Sequence, residues 1–235
     1  MVKEVIILAG GLGTRLRKVV PNVPKPMVNI NGKPFLEYLL LFLKKQGIEK
    51  VILSVGYKYE IIKNYFGNFF EGMELKYSIE KELLGTGGAI KKSLSFVEED
   101  MVFILNGDTL FKINFESLYS FHTKKQSYLT VALKYMKNFS RYGCVEIDKD
   151  NKIVSFKEKG FYKEGLINGG IYLLNKEFYL FLAPMEKFSF EKEILEKFYK
   201  TYNFYGFPTN GYFIDIGVPN DYERAKREFQ NFKYI

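Results

Sequence analysis

The chain has 235 residues, 47% of them hydrophobic and 26% charged, and its 35 Lys+Arg against 27 Asp+Glu leave a net charge of +8. At roughly 150 residues per domain this is one large domain or two small ones, able to bury about 70–75% of its unfolded surface without a disulfide or structural metal. The single cysteine, Cys144, excludes an intrachain disulfide and a cysteine-based zinc site, and the single histidine, His122, argues against His-rich metal centres and Ser-His-Asp or Cys-His nucleophilic chemistry.

In chain order, Val5-Ile6-Ile7-Leu8 is a continuous apolar run that predicts a strand buried on both faces. A glycine-rich loop follows, then Pro24, Pro26 and a short strand at Met27–Ile30. Pro34 opens a helix in which Phe35, Leu36, Leu39, Leu40, Phe42 and Leu43 recur at helical spacing, and Gly47 ends it. Val51–Val55 reads as a strand, Glu60–Phe66 as a helix closed by Gly67, Leu75–Ile79 as a strand, Gly87–Phe96 as a helix and Met101–Leu105 as a strand. This alternation predicts a parallel sheet covered by helices on both faces. The second half predicts strands at Leu129–Tyr135, Ile167–Leu174 and Tyr212–Ile216, a hairpin of Val145–Ile147 with Ile153–Phe156, and helices at Glu177–Leu182, Phe190–Tyr199 and from Pro219 through Phe229. The switch from crossovers to hairpins places an antiparallel extension beside the parallel core.

The first apolar run is too short for a signal segment and ends in glycines, and no apolar stretch approaches about 18 residues, so the expectation is a cytoplasmic chain that does not engage a membrane. The basic balance points to anionic ligands, although the excess is mostly lysine spread along the chain, and the arginines are only Arg15, Arg17, Arg141, Arg224 and Arg227. No nucleic-acid-binding motif of the C₂H₂ or RNP kind accompanies that charge, so nucleic acid is not an expected partner.

The strongest chemical signal is Leu8-Ala9-Gly10-Gly11-Leu12-Gly13-Thr14-Arg15, directly after the first strand. Its glycines let backbone N–H groups converge on phosphate oxygens, and Arg15 adds a bidentate donor. Lys25, clamped between Pro24 and Pro26, adds a point charge about ten residues on. Walker A is excluded because Gly32-Lys33 is followed by Pro34, and the dinucleotide pattern fails because Leu16 stands where the third glycine belongs.

Two acids form the next signal. Asp108 follows the strand Met101–Leu105 and Asp215 lies near the end of a late strand, and ligands of open α/β sheets gather at the carboxyl ends of strands. Alone, each reads as a turn or cap residue; together with the glycine loop they suit Mg²⁺, which binds through one or two carboxylates plus substrate phosphates. In Glu80-Lys81-Glu82-Leu83-Leu84-Gly85-Thr86-Gly87-Gly88-Ala89 the glycines allow close approach of a flat base. Glu80 is read either as a surface acid ahead of a helix or as a carboxylate accepting from the N1–H and N2–H₂ edge of guanine.

These segments resemble the sugar-phosphate nucleotidyltransferases. Leu8–Leu16 matches the family's L-A-G-G-x-G-T-R-L and Pro24–Pro26 its P-K-P, and the likeness extends over essentially the whole chain. Within the family, Val19-Val20-Pro21, Asn31-Gly32-Lys33-Pro34-Phe35-Leu36-Glu37-Tyr38 and Ser54-Val55-Gly56-Tyr57 look most like the branch that guanylylates a manno-configured heptose 1-phosphate. The resemblance implies a Rossmann-like, mixed and mainly parallel sheet flanked by helices, with a small antiparallel sugar-binding extension. It implies one domain over 1–235, with about 1–110 serving the nucleotide and about 111–235 the sugar. It further implies GTP and a sugar 1-phosphate as ligands and Mg²⁺ as cofactor, and leaves oligomeric state open, a homo-oligomer included.

By position, the resemblance assigns Leu8, Ala9, Gly10, Gly11, Gly13, Thr14, Arg15 and Lys25 to the nucleotide phosphates, and Glu80, Gly85, Thr86 and Gly88 to the base. Asp108 and Asp215 would hold the metal, with Arg15, Lys25 and Asp108 as the catalytic groups. Gly143 would line the sugar pocket, Glu158 and Lys159 (in a segment similar to the family's E-K-P) would take sugar hydroxyls and phosphate, and Asn168 and Gly169 would face the sugar. Gly160 stands where the family has Pro, and Gly169 where it has Ala.

Overall fold

The computed structural model describes residues 1–11, 13, 16, 20, 23–183 and 185–230. The first half contains β1 (Glu4–Leu8), β2 (Asn29–Ile30), β3 (Lys33–Pro34), α1 (Phe35–Lys45), β4 (Lys50–Val55), α2 (Tyr59–Phe66), β5 (Phe69–Phe70), β6 (Met73–Ile79), α3 (Gly85–Ser93) and β7 (Met101–Asn106). The second contains β8 (Thr109–Phe111), α4 (Phe115–Lys124), β9 (Leu129–Phe139), β10 (Cys144–Ile147), β11 (Ile153–Lys157), β12 (Tyr162–Asn175), α5 (Lys176–Leu182), α6 (Glu196–Phe198), β13 (Phe204–Thr209), β14 (Phe213–Asp215) and α7 (Pro219–Phe229).

A ten-stranded sheet runs β11-β10-β12-β7-β1-β4-β6-β5, with β9 on β12 and β13 on β9. Strands β7, β1, β4 and β6 are parallel, Val5 facing Val51 on one side and Phe103 on the other. Strand β12 joins antiparallel to β7, and β10 and β11 form the expected hairpin. The architecture is thus a mixed, mainly parallel sheet with antiparallel additions.

The period-2 alternation of strand side chains explains why β1 reads as unbroken apolar sequence. Val5 and Ile7 join Val51, Leu53, Phe103 and Leu105 in one core, while Ile6 joins Ile52, Val102 and Ile104 in the other. The first core is covered by Phe35, Leu36, Leu39, Leu40 and Leu43 of α1 with Phe115 of α4 and Phe229 of α7; the second by Ile90 of α3, Tyr179 of α5 and Phe190.

Several elements depart from the sequence expectation. Met27–Ile30 is a 3₁₀ turn over Lys25–Met27 followed by the two-residue β2. Phe190–Tyr199 is a π-helical turn over Glu191–Leu195 running into the short α6. Strand β12 is fourteen residues long because it has three partners: β9 along Tyr162–Asn168 and again from Tyr172, β10 at Leu166, and β7 from Ile171 to Asn175. The register shifts between Asn168 and Tyr172, a bulge of the kind that redirects side chains. Asn168 Oδ1 accepts from Gly170 N at 3.0 Å, and Asn168 Nδ2 donates to the Tyr172 hydroxyl at 2.9 Å.

Candidate active site

The carboxyl ends of β1 and β7 open into a cavity of about 580 Å³. Ala9 N donates to Ser54 O at 2.8 Å and Gly107 N to Leu8 O at 2.9 Å, which stitches the exit of β1 to both neighbouring strands. Leu8, Ala9, Gly10, Gly11, Gly13, Lys25, Glu80, Gly85, Thr86 and Asp108 all line this cavity. Thr14 and Arg15 lie outside the described residues. Gly88 does not line the cavity: it is buried, and a Cβ there would overlap the Glu186 carbonyl oxygen. Its lack of a side chain lets the main chain at Glu186 pass against α3, which corrects the expectation that it lines the cavity beside the base.

Glu80 is half-buried in the cavity wall rather than a surface acid. Its carboxylate accepts from Ser54 Oγ and from Leu84 N, each at 3.1 Å, and a Cβ on Gly10 would sit 2.5 Å from its Oε1. Gly10 is therefore a close-approach glycine. Of the four lone-pair sites of the carboxylate, two remain after these bonds. Thr86 Oγ1 donates to Glu191 Oε2 at 2.7 Å and accepts from Phe190 N at 2.9 Å, so the turn opening α3 is fastened to the π-helical turn.

Asp108 and Asp215 come together through main-chain pairing. Strand β8 begins directly after Asp108, β14 ends at Asp215, and the two strands are antiparallel with Asp215 opposite Thr109. Ile216 N also donates to Asp108 O at 3.0 Å. Lys25 Nζ bonds Asp108 Oδ2 and lies 4.0 Å from Asp215 Oδ1. Its side chain is 13% exposed.

The two carboxylates are already part-occupied. Asp108 Oδ1 accepts from Thr109 Oγ1 at 3.1 Å. Asp215 Oδ1 accepts from Gly217 N at 2.6 Å, while its Oδ2 takes Arg141 Nη2 at 3.2 Å and the Tyr142 hydroxyl at 3.1 Å. Burial and the neighbouring Asp215 carboxylate push the Tyr142 phenol up, which keeps it a donor. With two acceptor sites per oxygen, one site on Asp215 Oδ1 is left, facing the Lys25 ammonium and Asp108. No group of three or more His, Cys, Asp or Glu capable of holding a metal occurs among the described residues. Two carboxylates converging on one cation nevertheless fit a Mg²⁺ that draws its remaining ligands from phosphates and water.

A second cavity, about 480 Å³, adjoins the first and shares Asn106, Asp108 and Glu191 with it. Gly143, Glu158, Lys159, Asn168, Gly169 and Asp215 line it, the bulge in β12 presenting Asn168 and Gly169. A Cβ on Gly169 would overlap the Phe111 ring of β8 and stand 2.9 Å from the Ala132 carbonyl oxygen, so glycine fits here where alanine does not. Gly160 has no such reason: a Cβ would meet only Tyr162, at 3.8 Å.

Residues that pattern reasoning did not single out complete this wall: Arg141, Tyr142, Ser189, Glu191 and Lys192. Only Arg141 carried a signal, as one of few arginines, next to Gly143. His122 lines neither cavity. It is buried, its Nδ1 2.8 Å from Thr130 Oγ1. Among the described residues no helix is long and apolar enough to cross a membrane.

Comparison with known proteins agrees with this geometry. The model of the nucleotidyl transferase family matches residues 4–231. A D-glycero-alpha-D-manno-heptose 1-phosphate guanylyltransferase from Aneurinibacillus thermoaerophilus is 52% identical over 229 residues, 97% of this chain and 99% of that protein. One of the same name from Campylobacter jejuni is 53% identical over 219 residues, 93% of this chain and 96% of that protein. The crystal structure of HddC from Yersinia pseudotuberculosis complexed with GMP-PN superposes with a TM-score of 0.87 at 41% identity, covering 97% of this chain and 100% of that one. The match of the family model over residues 4–231 and these likenesses over nearly the full length agree with a glycine-rich strand exit facing two carboxylates from separate strands: the chain belongs to the nucleotidyl transferase family.

Proposed function

We propose that this protein transfers the guanylyl group of GTP to D-glycero-α-D-manno-heptose 1-phosphate, giving GDP-heptose and pyrophosphate. The observation that carries the reading is the meeting of two cavities at Asp108, one walled by the glycine turn, the other by Glu158, Lys159 and Asn168. The named relatives supply the guanine and heptose specificities. One cavity draws mostly on residues before about 110 and the other mostly on later ones, which supports a nucleotide-binding part of about 1–110 and a sugar-binding part of about 111–235.

The reaction needs no general base. A sugar phosphate oxygen is ionised at pH 7 and attacks the α-phosphorus; the new P–O bond forms as the α–β bond breaks, and pyrophosphate leaves with the electron pair. The protein's task is to hold nucleophile and leaving group in line and to neutralise charge. Main-chain N–H groups of the glycine turn, Arg15 and Lys25 hold the triphosphate. Glu80, with Gly85 and Thr86 beside it, holds the guanine edge. Gly143, Glu158, Lys159, Asn168 and Gly169 hold the sugar phosphate. Bound by Asp108 and Asp215, Mg²⁺ supplies further neutralisation of the phosphates. GTP supply puts the reaction in the cytoplasm, and a GDP-heptose product suits capsule or other surface-glycan assembly.

The test is pyrophosphate release with each nucleoside triphosphate against a panel of sugar 1-phosphates. GTP with the heptose phosphate gives the highest kcat/KM, and mannose 1-phosphate, with the same ring, is about 10–200-fold poorer. Release only with UTP or CTP overturns the guanine assignment.

A further inference from the structure

The Lys25 ammonium faces the same oxygen sites a divalent cation needs. We infer that Lys25 is a place-holder for that cation: in the nucleotide-free protein its ammonium bonds Asp108 and lies against Asp215, so metal binds weakly until a triphosphate draws the lysine away. The inference rests on the metal assignment proposed above and adds an order of binding to it.

Three observations carry it. The first is the count of acceptor sites. Asp215 Oδ2 is filled by Arg141 and Tyr142, and Oδ1 by Gly217 N on one side, which leaves one site, 4.0 Å from Lys25 Nζ. On Asp108 the Oδ2 oxygen already carries Lys25. Asp108 keeps one further site on each oxygen, but its filled Oδ2 site and the open site on Asp215 Oδ1 face the same ammonium, so an ion bridging the two carboxylates would stand where Nζ stands.

The second is charge. Asp108 and Asp215 are partly balanced by Lys25 and by Arg141, which is shared with Asp221, so a free divalent ion meets carboxylates whose charge is already largely compensated. Replacing an ammonium already in contact leaves the ion little net attraction. A triphosphate changes the balance, because its oxygens accept the ammonium while its metal takes the vacated carboxylate sites.

The third is mobility confined to a side chain. Lys25 lies between Pro24 and Pro26 in a 3₁₀ turn closed by Met27 N donating to Pro24 O at 2.8 Å. The backbone is held. The lysine stem packs on Gly13, whose Cβ would stand 3.1 Å from Lys25 Cβ. Any displacement of the ammonium would therefore come from χ rotation alone, within the cavity that Lys25 shares with the glycine turn.

The experiment titrates Mn²⁺ alone into the nucleotide-free full-length protein, followed by electron paramagnetic resonance. Lys25→Gln binds Mn²⁺ about tenfold tighter than the parent, the gain expected when a state populated to about one-tenth becomes fully competent. Lys25→Met gives the same tightening, and Asp108→Asn in the Lys25→Gln background abolishes it. A non-hydrolysable GTP analogue tightens Mn²⁺ binding more in the parent than in Lys25→Gln. If facing carboxylates lower the melting temperature of Lys25→Gln, Mn²⁺ restores it by more than it raises the parent's. Equal Mn²⁺ affinity in parent and both Lys25 variants overturns the proposal. Failure of the enzymatic reading looks different: no triphosphate then yields pyrophosphate, whatever the Mn²⁺ titrations give.

Discussion

Asp108 stands where both cavities and the Lys25 ammonium meet, and its role is separable from folding because its side chain is a third exposed. Asp108→Asn is expected to fold normally and to lose about 10²–10³-fold or more in turnover, measured as pyrophosphate release; near-normal rates in saturating Mg²⁺ reject the metal assignment. Gly169 offers a second residue-scale test. Gly169→Ala drives a methyl group into the Phe111 ring. The expected result is a higher KM for the sugar phosphate with little change for GTP, and partial recovery when Phe111→Leu is added. Position in the chain made much of the site legible at this scale. Asp108 and Asp215 are readable because each follows an apolar strand, and Glu80 because glycines follow it. Tyr142 and Glu191 were not, because nothing local marks them: one acts on Asp215, 73 residues away, and the other on Thr86, 105 residues away.

At the scale of elements, most strands and helices of the parallel half are legible, and several elements of the second half, β8, α4 and β13 among them, are not. Helix α1 declares itself because eight of its eleven residues are buried, whereas α4 buries only Phe115, Leu118 and His122 and escapes a periodicity reading. Asn114, whose side chain accepts from Ser117 N at 2.7 Å, was the available cue to its start. The bulge in β12 was equally hidden, since a register shift depends on the partner strand. His122 gives α4 a pH signature. Burial pushes its imidazole down from 6.5 to about 4, so the folded protein keeps it neutral while the unfolded chain takes up a proton. Its contribution is complete above about pH 6.5, shrinks as pH falls towards 4, and is lost below that, a total of about 3 kcal/mol. Urea midpoints between pH 7 and 4 are expected to fall more steeply in the parent than in His122→Gln.

At the scale of the molecule, the helix-clad parallel sheet was legible from its alternating elements, and the joining of the two halves was not. That joining is done partly by α7, whose Tyr222 hydroxyl donates to Asn29 O at 2.9 Å and whose Phe229 packs 4.8 Å from the Tyr38 ring and 6.3 Å from Phe35. Asp221 on the same helix bonds Arg141, which holds Asp215. Phe229→Ala is expected to cost about 3–5 kcal/mol in urea unfolding, because it empties a site between the first and last helices.

The β8–β14 pairing has a consequence for how such a protein can change. The spacing of the two aspartates is set by main-chain bonds between short strands, not by the shape of the second cavity. Side chains of that cavity other than Asp108, Asp215, Arg141 and Tyr142 are exchangeable for ones that admit a differently branched ligand while the paired carboxylates stay in register. The same scaffold can thus be re-tailored for new acceptors, one wall at a time, without rebuilding the chemistry they share.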